Sequence, residues 1–247
     1  MEIICKNCLQ IYKGHYCSNC GQPADTHKLN FHYLLHDIQH GFLHFDKGVI
    51  YTAKELFTRP GHTIREFIEG KRVRHFKPIS LVIILATAYA ASAHLLKIDM
   101  PIKIEGNGDP NQHINPKTIS DWINAHFSLI TLAFIPLHTI GTVICFRKQG
   151  YNFIEYFILN TYKAAQKLYV SILLLPLFYY YNGTPTFNKL FNIIFFIDLI
   201  LYIWTNEQFF NKLSKIKVFF LTILTFIIFA ILAMTTASAL VTIFEVF

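Results

Sequence analysis

The sequence predicts an all-α integral membrane protein: about five transmembrane helices, a small N-terminal zinc ribbon and cytoplasmic interfacial helices. Three observations predict it. Of 247 residues, 53% are hydrophobic and 15% charged, where an ordinary soluble domain carries about 25% charged residues; mean hydropathy is +0.37. Several bilayer-length apolar runs follow Pro78. The chain opens with CKNCLQIYKGHYCSNCGQ, two Cys-x-x-Cys pairs eight residues apart. These features divide it into a zinc ribbon (1–23), amphipathic interfacial helices (24–77) and a helical bundle (78–247).

Cys5, Cys8, Cys17 and Cys20 offer four thiolates, the donor set that closes a structural zinc site around one Zn2+ ion. The spacer forms a hairpin with its turn at Tyr12, Lys13 and Gly14, and Gly21 permits the tight backbone after the second pair. The other reading of these cysteines is two disulfides, which requires an oxidising compartment. Cys145 reads as a buried thiol. Met1-Glu2-Ile3-Ile4 leads into the cysteines without a basic stretch ahead of an apolar one, so no secretory signal is expected.

Asn30 is placed to cap a helix over 31–45. Phe31, Leu34, Leu35, Ile38, Phe42 and Phe45 share one face. His32, His36, His40 and His44 recur every fourth residue opposite them. Two readings stand for this stripe: a solvated face above an apolar face lying on the bilayer, or a labile-metal or pH-sensing device. A second helix covers 49–57 and stops at Arg59-Pro60-Gly61. Thr63-x-x-Glu66 reads as a capping box for a third, bracketed by Gly70 and Pro78.

Five spans follow, over about 79–96, 126–146, 153–181, 187–205 and 216–244. Lys71, Arg72, Arg74 and Lys77 precede the first and are expected to contact lipid headgroups. Arg147-Lys148 and Lys212, Lys215, Lys217 fall on the same side if the spans number five. The opposite loops are balanced (97–125) or uncharged (182–186). The positive-inside rule then places the N-terminus in the cytoplasm and the C-terminus outside a bacterial inner membrane. A reducing cytoplasm keeps the cysteines available to zinc.

Ionisable residues at membrane depth are costly and face a bundle interior or cavity. Asp198 lies about eight residues, ~12 Å, into span four. His138, Asn160 and Lys163 reach comparable levels, with Glu155 nearer the surface and Lys167 deeper. They form a candidate polar cluster: an ion pair that sets helix register, or a pathway or binding site for a proton, ion or small polar molecule. Small residues such as Ala233 and Ala237 read as packing positions. No phosphate loop, nucleophile elbow or His-Glu-x-x-His pattern occurs, so no catalytic residue is assigned.

The string FDKGVIYTAKELFTRPGHTIREFIEGKRVRHFKP, behind a cysteine head and ahead of apolar spans, resembles a bacterial domain-of-unknown-function family of membrane proteins with N-terminal zinc ribbons. The matching residues are Asp46, Gly48, Thr52, Leu56, Arg59-Pro60-Gly61, Ile64-Arg65-Glu66, Gly70-Lys71-Arg72 and Pro78. Glu155 matches a Glu that opens a later span; the family often has histidines downstream of it, where this chain reads NTYKAAQ. The resemblance implies a membrane location and a zinc ribbon.

The expected function is a non-enzymatic binding, sensing or small-solute or proton transport module. Alternatives are an intramembrane enzyme acting on a lipid or lipid-linked substrate through Glu155 and a histidine, and an oligomeric pore or scaffold. Expected partners are membrane lipids, a cytoplasmic protein contacted through the ribbon, and further copies of the chain. The modest charge excess points away from nucleic acid.

Overall fold

The computed structural model describes residues 2–26, 29–31, 48–98, 122 and 126–246. The helix expected over 31–45 and its four histidines lie outside the described residues.

Two short strands open the chain, β1 (Ile3–Ile4) and β2 (Ile11–Tyr12), antiparallel with Ile3 opposite Tyr12 and Ile4 opposite Ile11. The hairpin turn is therefore the first cysteine pair. Tyr12 is a buried strand residue of the head's core, not a turn residue.

Two collar helices follow, α1 (Gly48–Thr58) and α2 (Pro60–Glu69). The expected Thr63–Glu66 capping box does not form. α2 begins four residues earlier, with Arg59 as N-cap and Pro60 in its first turn, where a missing N–H costs nothing. Thr63 instead donates to Glu55 Oε2 on α1 at 3.3 Å. Gly70 ends α2 in the left-handed region (φ 111°). The Gly70 N–H reaches Phe67 O and the Lys71 N–H reaches Glu66 O, the paired bonds of a Schellman terminus.

The bundle comprises α3 (Pro78–Leu95), α4 (Phe127–Phe146), α5 (Phe153–Leu173), α6 (Leu175–Tyr180), α7 (Pro185–Phe209) and α8 (Lys215–Val246). Among the described residues, four helices are long and apolar enough to cross a membrane: α3, α4, α7 and α8. The expected span over 153–181 divides into α5 and α6. Pro176 has no N–H for Ile172 and its ring crowds that carbonyl, so the ladder restarts at Leu174.

α5 carries more polar residues than the four apolar helices and lies deepest. It packs against α1, α2, α3, α4 and α7, and buries Tyr156, Ile158, Leu159, Tyr162, Ala165 and Leu168. An asparagine cap starts it. Asn152 accepts from the Glu155 N–H while Glu155 Oε2 accepts from the Asn152 N–H. The outer helices α7 and α8 instead leave Ile193, Phe195, Phe196, Ile200, Phe220, Ile227 and Ile231 exposed. An exposed apolar surface on this scale is the mark of a face that meets lipid or protein.

One end of the bundle gathers the head, the collar and four helix termini. Phe146, closing α4, stacks on Phe210 after α7 at 4.0 Å between centroids. Asn152, capping α5, donates to Leu29 O behind the head. Phe76, ahead of α3, donates its N–H to Thr52 on α1 and accepts from Tyr162 on α5. The three basic clusters at 71–77, 147–148 and 212–217 therefore lie at the same end.

Candidate functional site

The four cysteines of the head form two matching knuckles. Cys5 N–H donates to Gln10 O and Leu9 N–H to Cys5 O. In the second knuckle, Cys17 N–H donates to Gln22 O and Gly21 N–H to Cys17 O, all at 2.9 Å. The residue after each pair adopts a positive φ: Gly21 at 74°, as the sequence predicts, and Leu9 at 63°, which it does not. All four thiols are free. Cys5 and Cys20 sulfurs are 3.5 Å apart, as are those of Cys8 and Cys17, and all four lie within 4.8 Å of one another. Tetrahedral thiolates ~2.3 Å from one ion stand ~3.8 Å apart, so the cluster can hold a metal ion. Neither of the two close sulfur pairs is at bonding distance. The Gln10 backbone N–H pulls the Cys8 thiol down, to about 6, toward the thiolate a metal requires.

The head is seated on the collar through one buried side chain. Gln22 Oε1 accepts from the N–H groups of Arg72 (3.1 Å) and Val73 (2.9 Å), which leave α2 without helical partners. Beside it, the Lys6 chain and Thr26 cover Gly70; a Cβ there would sit 2.8 Å from Lys6 Cδ. Much of the basic segment is engaged here. Lys71 pairs with Glu66 at 3.1 Å. Arg72 donates to Phe67 O and lies over the Phe67 ring. Lys77 is half-buried and Arg74 is exposed.

A latch joins the collar to α7. Glu55 holds Arg59, which also pairs with Glu66 at 3.2 Å. The adjacent Gly61 lies against the end of α7, where a Cβ would stand 2.3 Å from Phe209 N. Its N–H donates to Gln208 Oε1 at 3.1 Å, and Arg65 Nη1 donates to Gln208 O and Phe209 O. The sequence singles out Arg59, Gly61, Arg65 and Glu66 as motif residues; α7 as their target is missed, because nothing in the motif names a partner 140 residues away.

The expected intramembrane cluster resolves into separate parts. Asp198 Oδ2 pairs with Lys167 Nζ at 3.1 Å, while its Oδ1 is buried without a partner among the described residues. Lys163 Nζ meets Asn160 Oδ1 at 3.4 Å and the face of Tyr202 at 4.9 Å. Asn160 also donates to Thr139 and Thr142 on α4. The His138 ring packs on the same Tyr202 at 5.0 Å, and on Phe226 and Phe229. Glu155 stands apart, two helical turns from Lys163 and committed to the α5 cap. Gln166, Thr205, Asn206 and Thr222 extend the buried polar row and were not anticipated. Gln166 bridges Leu56 O on α1 and the Thr205 hydroxyl on α7, and Asn206 donates to Thr222 on α8. Their signal was simply amide and hydroxyl residues within apolar helices.

A family model described as protein of unknown function (DUF3667) matches residues 46–90, the collar and the start of α3. That stretch holds both sides of the Arg59 network and the Gly61 and Arg65 contacts to α7. No curated protein and no solved structure matches the chain.

Proposed function

We propose that the chain is a non-enzymatic, multi-pass module of the bacterial cytoplasmic membrane, whose buried polar layer passes or binds a small solute or a proton. The observation that carries this reading is the polar row Asn160, Lys163, His138, Lys167 and Asp198, shared among α4, α5 and α7, in which both His138 ring nitrogens and Asp198 Oδ1 are buried without a partner among the described residues. Buried polar groups are normally all paired, and at membrane depth such groups mark pathways and binding sites. The enzyme alternative loses its main motive, because Glu155 is engaged in the α5 cap.

In this reading α5 is the fifth crossing, shielded by its neighbours. Short connections at 147–152, 181–184 and 210–214 support it by making successive helices alternate in direction. The shared end of the bundle, with its basic clusters, faces the cytoplasm. The metal is a structural zinc ion held by Cys5, Cys8, Cys17 and Cys20, and the head serves as a brace on the collar with an outer face for a cytoplasmic partner. Lipid headgroups meet Arg74 and Lys77 at the collar's edge.

Flux into proteoliposomes tests the pathway. Wild-type protein moves protons or small ions faster than empty vesicles, and Asp198→Asn lowers that rate by tenfold or more. Equal rates for wild type, Asp198→Asn and empty vesicles remove the pathway. Cysteine labelling that finds both termini on one side of the bilayer removes the five-crossing topology.

A further inference from the structure

The layer around Lys163 has an unbalanced composition. Lys163 lies ten residues from either end of α5, ~15 Å from each, and is 1% exposed. An ammonium has three N–H donors and no acceptor. Its nearest acceptor, Asn160 Oδ1, is 3.4 Å away. Among the described residues no carboxylate lies within ion-pairing distance of it; Asp198 is taken by Lys167. His138 is 7% exposed, and neither ring nitrogen has a partner among the described residues. Both side chains rest on the one Tyr202 ring.

We propose that the bundle binds a chloride-sized monoanion between the Lys163 ammonium and a ring N–H of His138. The charge count supports an anion: two lysines face one aspartate in this layer, with histidine neutral. The unsatisfied groups at Lys163 and His138 can both donate, which suits an anion and repels a cation. Burying a charge without a counter-ion is costly, and a monoanion there removes most of that cost. Deep burial on all sides limits the guest to one that sheds its water easily. A halide and a small carboxylate such as formate share this chemistry. Thr139 and Thr142 already donate to backbone carbonyls and accept from Asn160, so they hold Asn160 in place and do not face the anion.

This assignment deepens the reading of the polar layer as a functional one by naming its guest, and a binding measurement separates the two. Equilibrium dialysis of the full-length protein in detergent, with radiolabelled chloride at constant ionic strength and gluconate as the filler anion, reads occupancy directly. Wild type retains about one chloride per chain, and Lys163→Met weakens binding tenfold or more, about 1.4 kcal/mol. Lys189→Met, which removes an exposed lysine on α7, changes affinity less than twofold. Asn160→Asp covers the case in which Lys163→Met does not fold: it places a carboxylate where the amide oxygen stands and displaces chloride while Lys163 remains. Formate competition tells a halide-selective site from a general monoanion site. Absence of retained chloride in folded wild type, or unchanged binding in folded Lys163→Met or Asn160→Asp, overturns the proposal. Binding without flux keeps the anion site and removes the pathway.

Discussion

The Arg65 guanidinium donates to the carbonyl of Phe209 at 2.9 Å and to that of Gln208 at 3.0 Å. A collar side chain thus closes a bundle helix 140 residues away, and a cation there also complements the negative end of the helix dipole. Gly61 makes this possible, since only a residue without Cβ lets α2 approach Phe209 so closely. Gly61→Ala is expected to force the helices apart and to destabilise by about 1–3 kcal/mol. Arg65→Met is expected to loosen only the end of α7. Thermal unfolding in detergent ranks the two, and hydrogen exchange at 206–213 rises in both.

The head–collar joint predicts a link between metal and collar. Cys17→Ser, or stripping the metal with a strong chelator, undoes the knuckle that presents Gln22. The amides of Arg72 and Val73 then exchange faster, while those in the middle of α5 do not. Gln22→Ala, with the metal still bound, reproduces the change and costs about 0.5–1.5 kcal/mol for each hydrogen bond lost.

Leu9 occupies the left-handed region that its counterpart Gly21 adopts without strain. A non-glycine residue there costs about 1–2 kcal/mol. Leu9 is also exposed, so its side chain gives little packing in return. Leu9→Gly is expected to tighten metal binding by roughly fivefold, about 1 kcal/mol. A competitive chelator titration reads it, and unchanged or weaker binding would show that Leu9 contributes to the head by other means.

Burial among Tyr51 and Phe67 holds the His75 imidazole down to about 4, against the opposing pull of Glu55 and Glu66. Between pH 6.5 and 4 the unfolded chain therefore binds more protons at this site than the folded one, so stability rises with pH across that window. The His75 contribution is complete above pH 6.5 and is lost as the pH falls toward 4. His75→Phe flattens this part of the stability–pH curve. A variant as acid-sensitive as wild type from pH 6.5 to 4 contradicts the assignment.

Asp198 and Lys167 are asymmetric partners: the carboxylate is buried and the ammonium half-exposed. Lys167→Met strands a buried charge and is expected to cost about 3–5 kcal/mol, whereas replacing both residues with leucine is expected to be much milder. Unfolding of Lys167→Leu, Asp198→Leu and the double leucine variant gives the coupling. Equal losses in all of them would mean that Asp198 is stabilised by something other than Lys167.

The sequence by itself determined the cysteine head, the helical class and the bounds of most of the long apolar helices, because each rests on local chemistry. Two closely spaced Cys-x-x-Cys pairs bring four thiols within reach of one metal ion, and an uninterrupted apolar run becomes a helix whose length can be counted. It also marked Arg59, Gly61 and Arg65 as a motif. Only the tertiary structure decided what these residues touch. Thr63 reaches Glu55 on α1 and no cap, Gly61 and Arg65 meet the end of α7, and Glu155 closes its own helix away from the polar layer. Likewise only the packing of α5 beneath α4 and α7 separated Lys167, which has a carboxylate, from Lys163, which has none among the described residues. The two lysines lie four residues apart on one helical face. Their different fates are set by neighbours distant in the chain, and helical periodicity carries no information about those neighbours.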